Sequence, residues 1–155
     1  MNILFADQAH IPGIIDLLRQ VGQVHHEIRP DIFPAGTQKY DEAALEALLK
    51  DESRPIFVAA EGDKVLGYCF CVHREFAAGR CSTGRKELYI DDLCVDEGCR
   101  GRGVATALYA HVTDYARSRG CEFITLNVWQ GNGGAMAFYE KSGLTPRSIT
   151  MEMKL

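Results

Sequence analysis

At 155 residues, 46% hydrophobic and 25% charged, the chain suits one compact domain spanning residues 1–155 with an ordinary core, and a second folded domain is not expected. A formal net charge of −4 argues against a nucleic-acid binder, whose affinity rests on clustered Lys and Arg, and mildly favours a cationic substrate. The apolar runs Ile56 to Ala60 and Val65 to Val72 fall well short of the ~20 residues a membrane span needs. The start, Met1 to Asp7, lacks the basic and apolar regions of a signal peptide, so a cytoplasmic protein without a membrane partner is expected.

In chain order, Asn2 to Phe5 reads as a strand. Asp7 then offers an N-cap before Ile11, Ile14, Ile15, Leu18 and Val21, which recur at helical spacing. Gln23 to Pro34 holds two prolines and no clear period, which predicts a loop or broken helix. Asp41 opens a short helix with Ala44, Leu45, Leu48 and Leu49 inward. Ile56 to Ala60, a turn at Glu61-Gly62-Asp63-Lys64, and Val65 to Val72 form a β-hairpin pattern. Ala77 to Lys86 reads as a connection and Glu87 to Val95 as a strand. Val104, Leu108, Val112 and Tyr115 mark a helix ending near Gly120, and Phe123 to Val128 a buried strand. Ala135, Phe138 and Tyr139 lie on a helix stopped by Gly143. The alternation of Ile149, Met151, Met153 and Leu155 with Thr150, Glu152 and Lys154 predicts a last, half-buried strand.

Six cysteines stand at 69, 71, 81, 94, 99 and 121. With Cys69, Cys94 and Cys121 in or beside apolar strand-like segments, reduced thiols are the better reading than disulfides. No Cys-x-x-Cys pair exists, and Cys69-x-Cys71 has no matching Cys/His pair to complete a zinc site. The adjacent His25 and His26 lack a convergent spacing. No metal is expected.

Arg100-Gly101-Arg102-Gly103-Val104-Ala105-Thr106 follows a strand and opens a helix. That arrangement aims free backbone N–H groups and a positive helix end at an anion, and Arg100 and Arg102 add charge. A Walker loop would need Gly-Lys-Ser/Thr, which is absent. A Rossmann fingerprint would need a third glycine where Thr106 stands and an acid after the next strand, where Trp129 and Gln130 stand. The plain alternative is a tight strand-to-helix turn. Within the preceding strand, Leu88 and Ile90 share one phase and Leu93 and Val95 the other. The slip at Asp91-Asp92 predicts a β-bulge, set against an ordinary edge strand with two solvated aspartates.

Arg100-x-x-Gly103-x-Ala105 resembles the acyl-CoA signature of the GCN5-related N-acetyltransferase (GNAT) superfamily. Asn132-x-x-Ala135-x-x-Phe138-Tyr139-Glu140-Lys141-x-Gly143-Leu144 is similar to a second segment of that superfamily, and the order of predicted elements resembles its fold from end to end. The resemblance implies an α/β (α+β) domain with a mixed central sheet of about six to seven strands flanked by helices. It also implies acetyl-CoA as co-substrate, an amine of a small molecule or peptide as acceptor, and direct attack of that amine on the thioester. By the same resemblance the backbone of Leu93, Cys94 and Val95 holds the pantetheine arm and acetyl carbonyl, residues 100–106 hold the pyrophosphate, Asn132 bonds the CoA arm, and Tyr139 lies near the sulfur as general acid. Asn132 is equally a plain N-cap, and Tyr139 on its own could be a core residue. Ribosomal-protein N-terminal acetyltransferases carry a glutamate base where this chain has Asn127. Asp92 is the preferred substitute, with Asp91 and Glu87 as rivals. His26, Glu27, Arg29 and Phe33 fall in the region that borders the acceptor in the resembled fold, where ordinary loop packing is the alternative. A CoA-binding sensor without turnover and a nucleotide-binding regulatory module are the competing functions. Related enzymes are often homodimers, and no single residue here marks an interface.

Overall fold

A computed structural model describes residues 1–155. The elements are β1 (Asn2–Phe5), a 3-10 turn (Gln8–His10), α1 (Ile11–Ile28), α2 (Glu42–Leu48), β2 (Ile56–Glu61), β3 (Lys64–Phe76), β4 (Arg85–Val95), a second 3-10 turn (Glu97–Cys99), α3 (Val104–Ser118), β5 (Phe123–Leu126) and α4 (Gly133–Lys141). One mixed sheet runs in the order β1-β2-β3-β4-β5. The first four strands are antiparallel neighbours, and β4 and β5 are parallel, as a strand-helix-strand crossover through α3 requires.

Helices cover both faces. On one, Ile11, Ile14, Leu17 and Leu18 of α1 and Leu45 and Leu48 of α2 pack on Val58, Tyr68, Phe70 and Cys94. On the other, Val104, Leu108, Val112 and Ala116 of α3 pack on Phe57, Leu66, Cys69, Cys71, Leu88 and Ile90. Burial on both faces explains why Val65 to Cys71 reads as an unbroken apolar run instead of an alternating one. The six cysteines are free thiols; Cys69, Cys71, Cys94 and Cys99 are buried and Cys81 is exposed. No helix is long and apolar enough to cross a membrane.

Polar caps set several boundaries. Asp7 accepts from the Ala9 N–H at 2.9 Å, capping the 3-10 turn that leads into α1. Asp41 accepts from Ala44 at 2.8 Å to start α2, and Asn132 accepts from Ala135 at 3.2 Å to start α4. The hairpin turn has Gly62 at φ 57°, a left-handed conformation glycine adopts without strain.

Four expectations need correction. The helix does not break at Gln23: α1 runs to Ile28, because a proline restrains the residue before it and Pro30 acts only on Arg29. β3 continues past Val72 to Phe76, paired with β4 from Arg85 onward, so the connection between them is shorter than residues 77–86. β5 ends at Leu126, not Val128. The sheet has five strands, not six or seven, because the alternating segment from Ile149 to Leu155 pairs with nothing and is exposed throughout.

Gly67 fixes the closest approach of three elements. A Cβ there would stand 2.9 Å from the Cys94 carbonyl oxygen and 3.1 Å from both Leu108 Cδ1 and Val104 Cγ1. Gly67→Ala is expected to destabilise the fold by about 1–3 kcal/mol through overpacking, measured as a lower urea midpoint at unchanged m-value.

Candidate active site

The site grows from one irregularity in β4. Phe70 pairs with Asp92 and Cys71 with Ile90, so Asp91 is the extra residue of a β-bulge. The bulge restores the phase: Leu88, Ile90, Leu93 and Val95 all lie with the α3 cluster, while Cys94 lies with the α1 cluster and Asp92 meets Tyr68 there. The β4–β5 ladder also stops here, its last pair being Ile90 with Leu126. From Asp91 to Val95, the backbone groups that point away from β3 have no strand partner.

Beyond the strand, Asp96 accepts from the Gly98 N–H at 2.9 Å, and α1 braces the turn through Gln20, whose side chain accepts from the Glu97 N–H at 3.1 Å. Gly101 and Gly103 sit at φ 75° and 79°, values that explain why both positions are glycine. Gly103 is the N-cap of α3 and supplies no side-chain bond. The first-turn N–H groups of Val104, Ala105 and Thr106 are therefore left for an anion, at the positive end of a 15-residue helix. Arg100 is exposed beside them. Arg102 is turned to Glu61, at 3.1 and 3.3 Å from its two carboxylate oxygens.

Asp92 accepts from the Tyr68 hydroxyl at 2.8 Å. Burial raises its pKa above the usual carboxylate range, Asp91 adds to the rise, and Tyr68, Lys39 and His25 pull it back. Its neighbour Asp91 is 2.7 Å from Lys39 Nζ and accepts from the Tyr40 hydroxyl at 3.2 Å. Burial opposes the Lys39 charge, but the Asp91 carboxylate more than offsets it and the ammonium's pKa is raised. Glu87 is not part of this group. It sits at the other end of β4, buried among Arg85 at 3.3 Å, Arg147 at 3.5 Å and Arg74 at 3.9 Å.

Tyr139, half-buried on α4, packs against Phe138 and Tyr109, with ring centroids 5.2 and 6.3 Å away. Burial lifts its pKa well above that of a free tyrosine, and Cys69 and Asp92 add to this. The four residues expected to border an acceptor divide. His26 Nδ1 lies 2.7 Å from the Phe33 carbonyl oxygen. The Phe33 ring stands 5.0 Å from His25 and 5.3 Å from Trp129. Arg29 lies over Trp129 and bonds Asp31 and Glu152, so its charge is already matched. Glu27 faces outward, accepting from Gln23 at 3.0 Å. His25, Lys39, Tyr40, Tyr68 and Trp129 belong to the site region without having been read from the sequence. A surface depression of about 350 Å³ lined by Glu75, Phe76, Gly84, Arg85 and Lys86, at the far end of β3, contains none of these groups.

A model of the acetyltransferase (GNAT) family matches residues 22–144, a span that takes in the bulge, the glycine loop and all of α4. The chain belongs to this family. Streptothricin acetyltransferase of Streptomyces lavendulae is 30% identical over 112 residues, 72% of this chain and 54% of that protein. The chain thus spans about half the length of this curated relative. The uncharacterized N-acetyltransferase YhfO of Bacillus subtilis is 27% identical over 92% of this chain and 89% of its own. A crystal structure of a mutant of the BH1408 protein from Bacillus halodurans superposes with a TM-score of 0.95 at 28% identity, covering 100% of this chain and 99% of that one.

Tyr68→Phe removes the donor that holds the Asp92 carboxylate in its charged form. The Asp92 pKa is expected to move further up, read by carboxyl-carbon NMR titration; an unchanged value would show that the bond does not govern Asp92.

Proposed function

We propose that this member of the GNAT family is an acetyl-CoA-dependent N-acetyltransferase that moves the acetyl group to a primary amine of a small molecule or peptide by direct attack. The observation that carries the reading is the junction of the Asp91 bulge, the end of the β4–β5 ladder and the uncapped start of α3. An extended ligand with a diphosphate at one end and an amide-bearing arm at the other matches that junction: free helix N–H groups beside Arg100 for the diphosphate, and unpaired strand backbone for the arm.

Acetyl-CoA supplies an activated acetyl group and a thiol leaving group. Residues of the chain are assigned the remaining work. Backbone N–H groups of Leu93 to Val95 orient the acetyl carbonyl and donate to its oxygen as charge grows there. Arg100, with the N–H groups of residues 101–106, holds the diphosphate, and Asn132 adds a polar contact to the arm. Arg102 joins them only by leaving Glu61.

Asp92 takes a proton from the attacking ammonium, directly or through water, and its raised pKa makes it a stronger base than a surface carboxylate. Tyr139 stays protonated throughout the neutral range because burial opposes its ionisation, so it acts as donor to the departing sulfur. The same apolar surroundings raise the basicity of the thiolate and keep the two groups matched. His25, His26, Phe33 and Trp129 are assigned to the acceptor's wall, where aromatic faces beside Asp91 and Asp92 suit a cationic amine. Similarity to streptothricin acetyltransferase favours a small-molecule amine over a protein terminus.

Thiol release from acetyl-CoA across a panel of amines tests the reading. Tyr139→Phe and Asp92→Asn are each expected to lower kcat about 100-fold, and Arg100→Ala to raise the acetyl-CoA KM about tenfold. Acetyl-CoA binding without thiol release from any amine would leave a sensor in place of an enzyme.

The pH dependence has a definite sign. Activity should climb as pH rises through the elevated Asp92 value, and that limb should vanish in Asp92→Asn. A folded-state pKa above the unfolded one means that Asp92 costs stability once ionised. Asp92→Asn should therefore melt at the same or a higher temperature at pH 7 while losing activity, a combination that separates catalysis from misfolding.

A further inference from the structure

The acceptor of an N-acetyltransferase is an amine, and one amine of this chain already stands in the site. Lys39 Nζ lies 2.7 Å from Asp91 Oδ2, on the extra residue of the bulge, and 5.5 Å from the centre of the Tyr40 ring. Asp92, whose pKa burial raises, is drawn back by the Tyr68 hydroxyl and by this same ammonium. No other lysine pairs with either carboxylate; Lys86 meets Glu75 at 3.6 Å instead.

The backbone around Lys39 belongs to no helix or strand, yet it is tied down on both sides. Before it, Gln38 accepts from Arg19 Nε at 3.0 Å and donates to the Tyr40 carbonyl oxygen at 3.0 Å. After it, Tyr40 stacks on Phe70 with ring centroids 5.5 Å apart, donates to Asp91 at 3.2 Å and accepts from Arg54 at 3.1 Å. Gly22 of α1 lets the segment approach that helix, since a Cβ there would stand 2.5 Å from the Thr37 carbonyl oxygen. What remains free to swing is the flexible aliphatic stem of Lys39 with its ammonium. The Lys39 side chain is 43% exposed, and an ion pair open to water holds weakly, so Nζ can leave Asp91 without disturbing the backbone that carries it.

We propose that Lys39 is an internal acceptor: with acetyl-CoA bound and no outside amine present, the enzyme acetylates its own Lys39 Nζ. The inference rests on the placement of the acetyl group proposed above, beside the backbone of Leu93 to Val95. Lys39 enters as an ammonium, as a cationic amine from solution would, and Asp92 takes one of its protons. The nitrogen lone pair attacks the thioester carbonyl carbon, the carbon–sulfur bond breaks, and the sulfur leaves with the proton of Tyr139. A second proton from the nitrogen restores Tyr139 through water, and Asp92 gives up its own to solvent. The products are acetylated Lys39, the CoA thiol and one released proton. The modification also removes the charge that balances Asp91.

Intact-mass spectrometry with peptide mapping, on the full chain incubated with acetyl-CoA alone, tests this. One acetyl group is expected, on the peptide carrying Lys39, at a rate per chain that does not change on dilution. Tyr139→Phe should slow its appearance about 100-fold, and Lys39→Arg, which keeps a cation beside Asp91, should remove it. Label spread over the exposed lysines, or label on Lys39 that is indifferent to Tyr139→Phe, would overturn the proposal as plain chemical acetylation. A rate per chain that rises in proportion to concentration would overturn it as transfer between copies. The amine panel separates this inference from the function on which it rests. Outside amines acetylated while Lys39 stays unmodified by acetyl-CoA alone would sink the internal acceptor and leave the enzyme standing; acetyl transfer to neither would sink both.

Discussion

A single extra residue governs this molecule. Because side chains alternate along a strand, inserting Asp91 opposite the Phe70–Cys71 step exchanges the faces of everything that follows it. Without the bulge, Leu93 and Val95 would point into the α1 layer, and Asp92 and Cys94 would meet α3. With it, both layers stay apolar and Asp92 reaches the Tyr68 hydroxyl. The same kink ends the ladder to β5, and the opening at the bulge exists only because it does.

The electrostatics of the opening follow from its position. Asp91 is compensated by Lys39 and Tyr40, whereas Asp92 has one hydroxyl and more distant cations. Adjacent carboxylates thus differ in their surroundings, one held by an ammonium and a hydroxyl, the other buried with its pKa raised. Tyr139, approaching from α4, is pushed the same way by burial and by Asp92. Asp92, its pKa raised by burial, lies where the β4–β5 ladder ends, and the backbone that would ordinarily be paired there has no strand partner.

Much of this was legible in the residues. The glycines at 101 and 103 announce left-handed backbone, the phase slip between Ile90 and Leu93 announces the bulge, and Asn132 announces a cap; each is a local signal with one structural solution. The surroundings of Asp91 and Phe33 were not legible, for a physical reason. Lys39, Tyr40 and Trp129 belong to irregular segments, and their proximity to Asp91 and Phe33 arises from tertiary packing that no periodicity encodes. The extent of α1 was misread because Pro30 lies outside the helix and His25, His26 and Glu27 have no strong preference of their own. The last predicted strand shows the opposite case. Its pattern is clear in sequence, yet a pattern specifies a strand only where an edge is in position to receive it.

The buried thiols have a use of another kind. Cys69 and Cys71 stand with their sulfurs 3.7 Å apart inside the α3 layer, and burial pushes the Cys94 thiol on the α1 side up to about 12. Both layers therefore keep these sulfurs from solvent while the domain is closed. Cys81, exposed on the loop between β3 and β4, carries no such protection. One chain thus contains an exposed thiol, a half-buried one at Cys121, and buried thiols beneath each helical layer. The order in which an alkylating reagent reaches them would record which side of the sheet opens first.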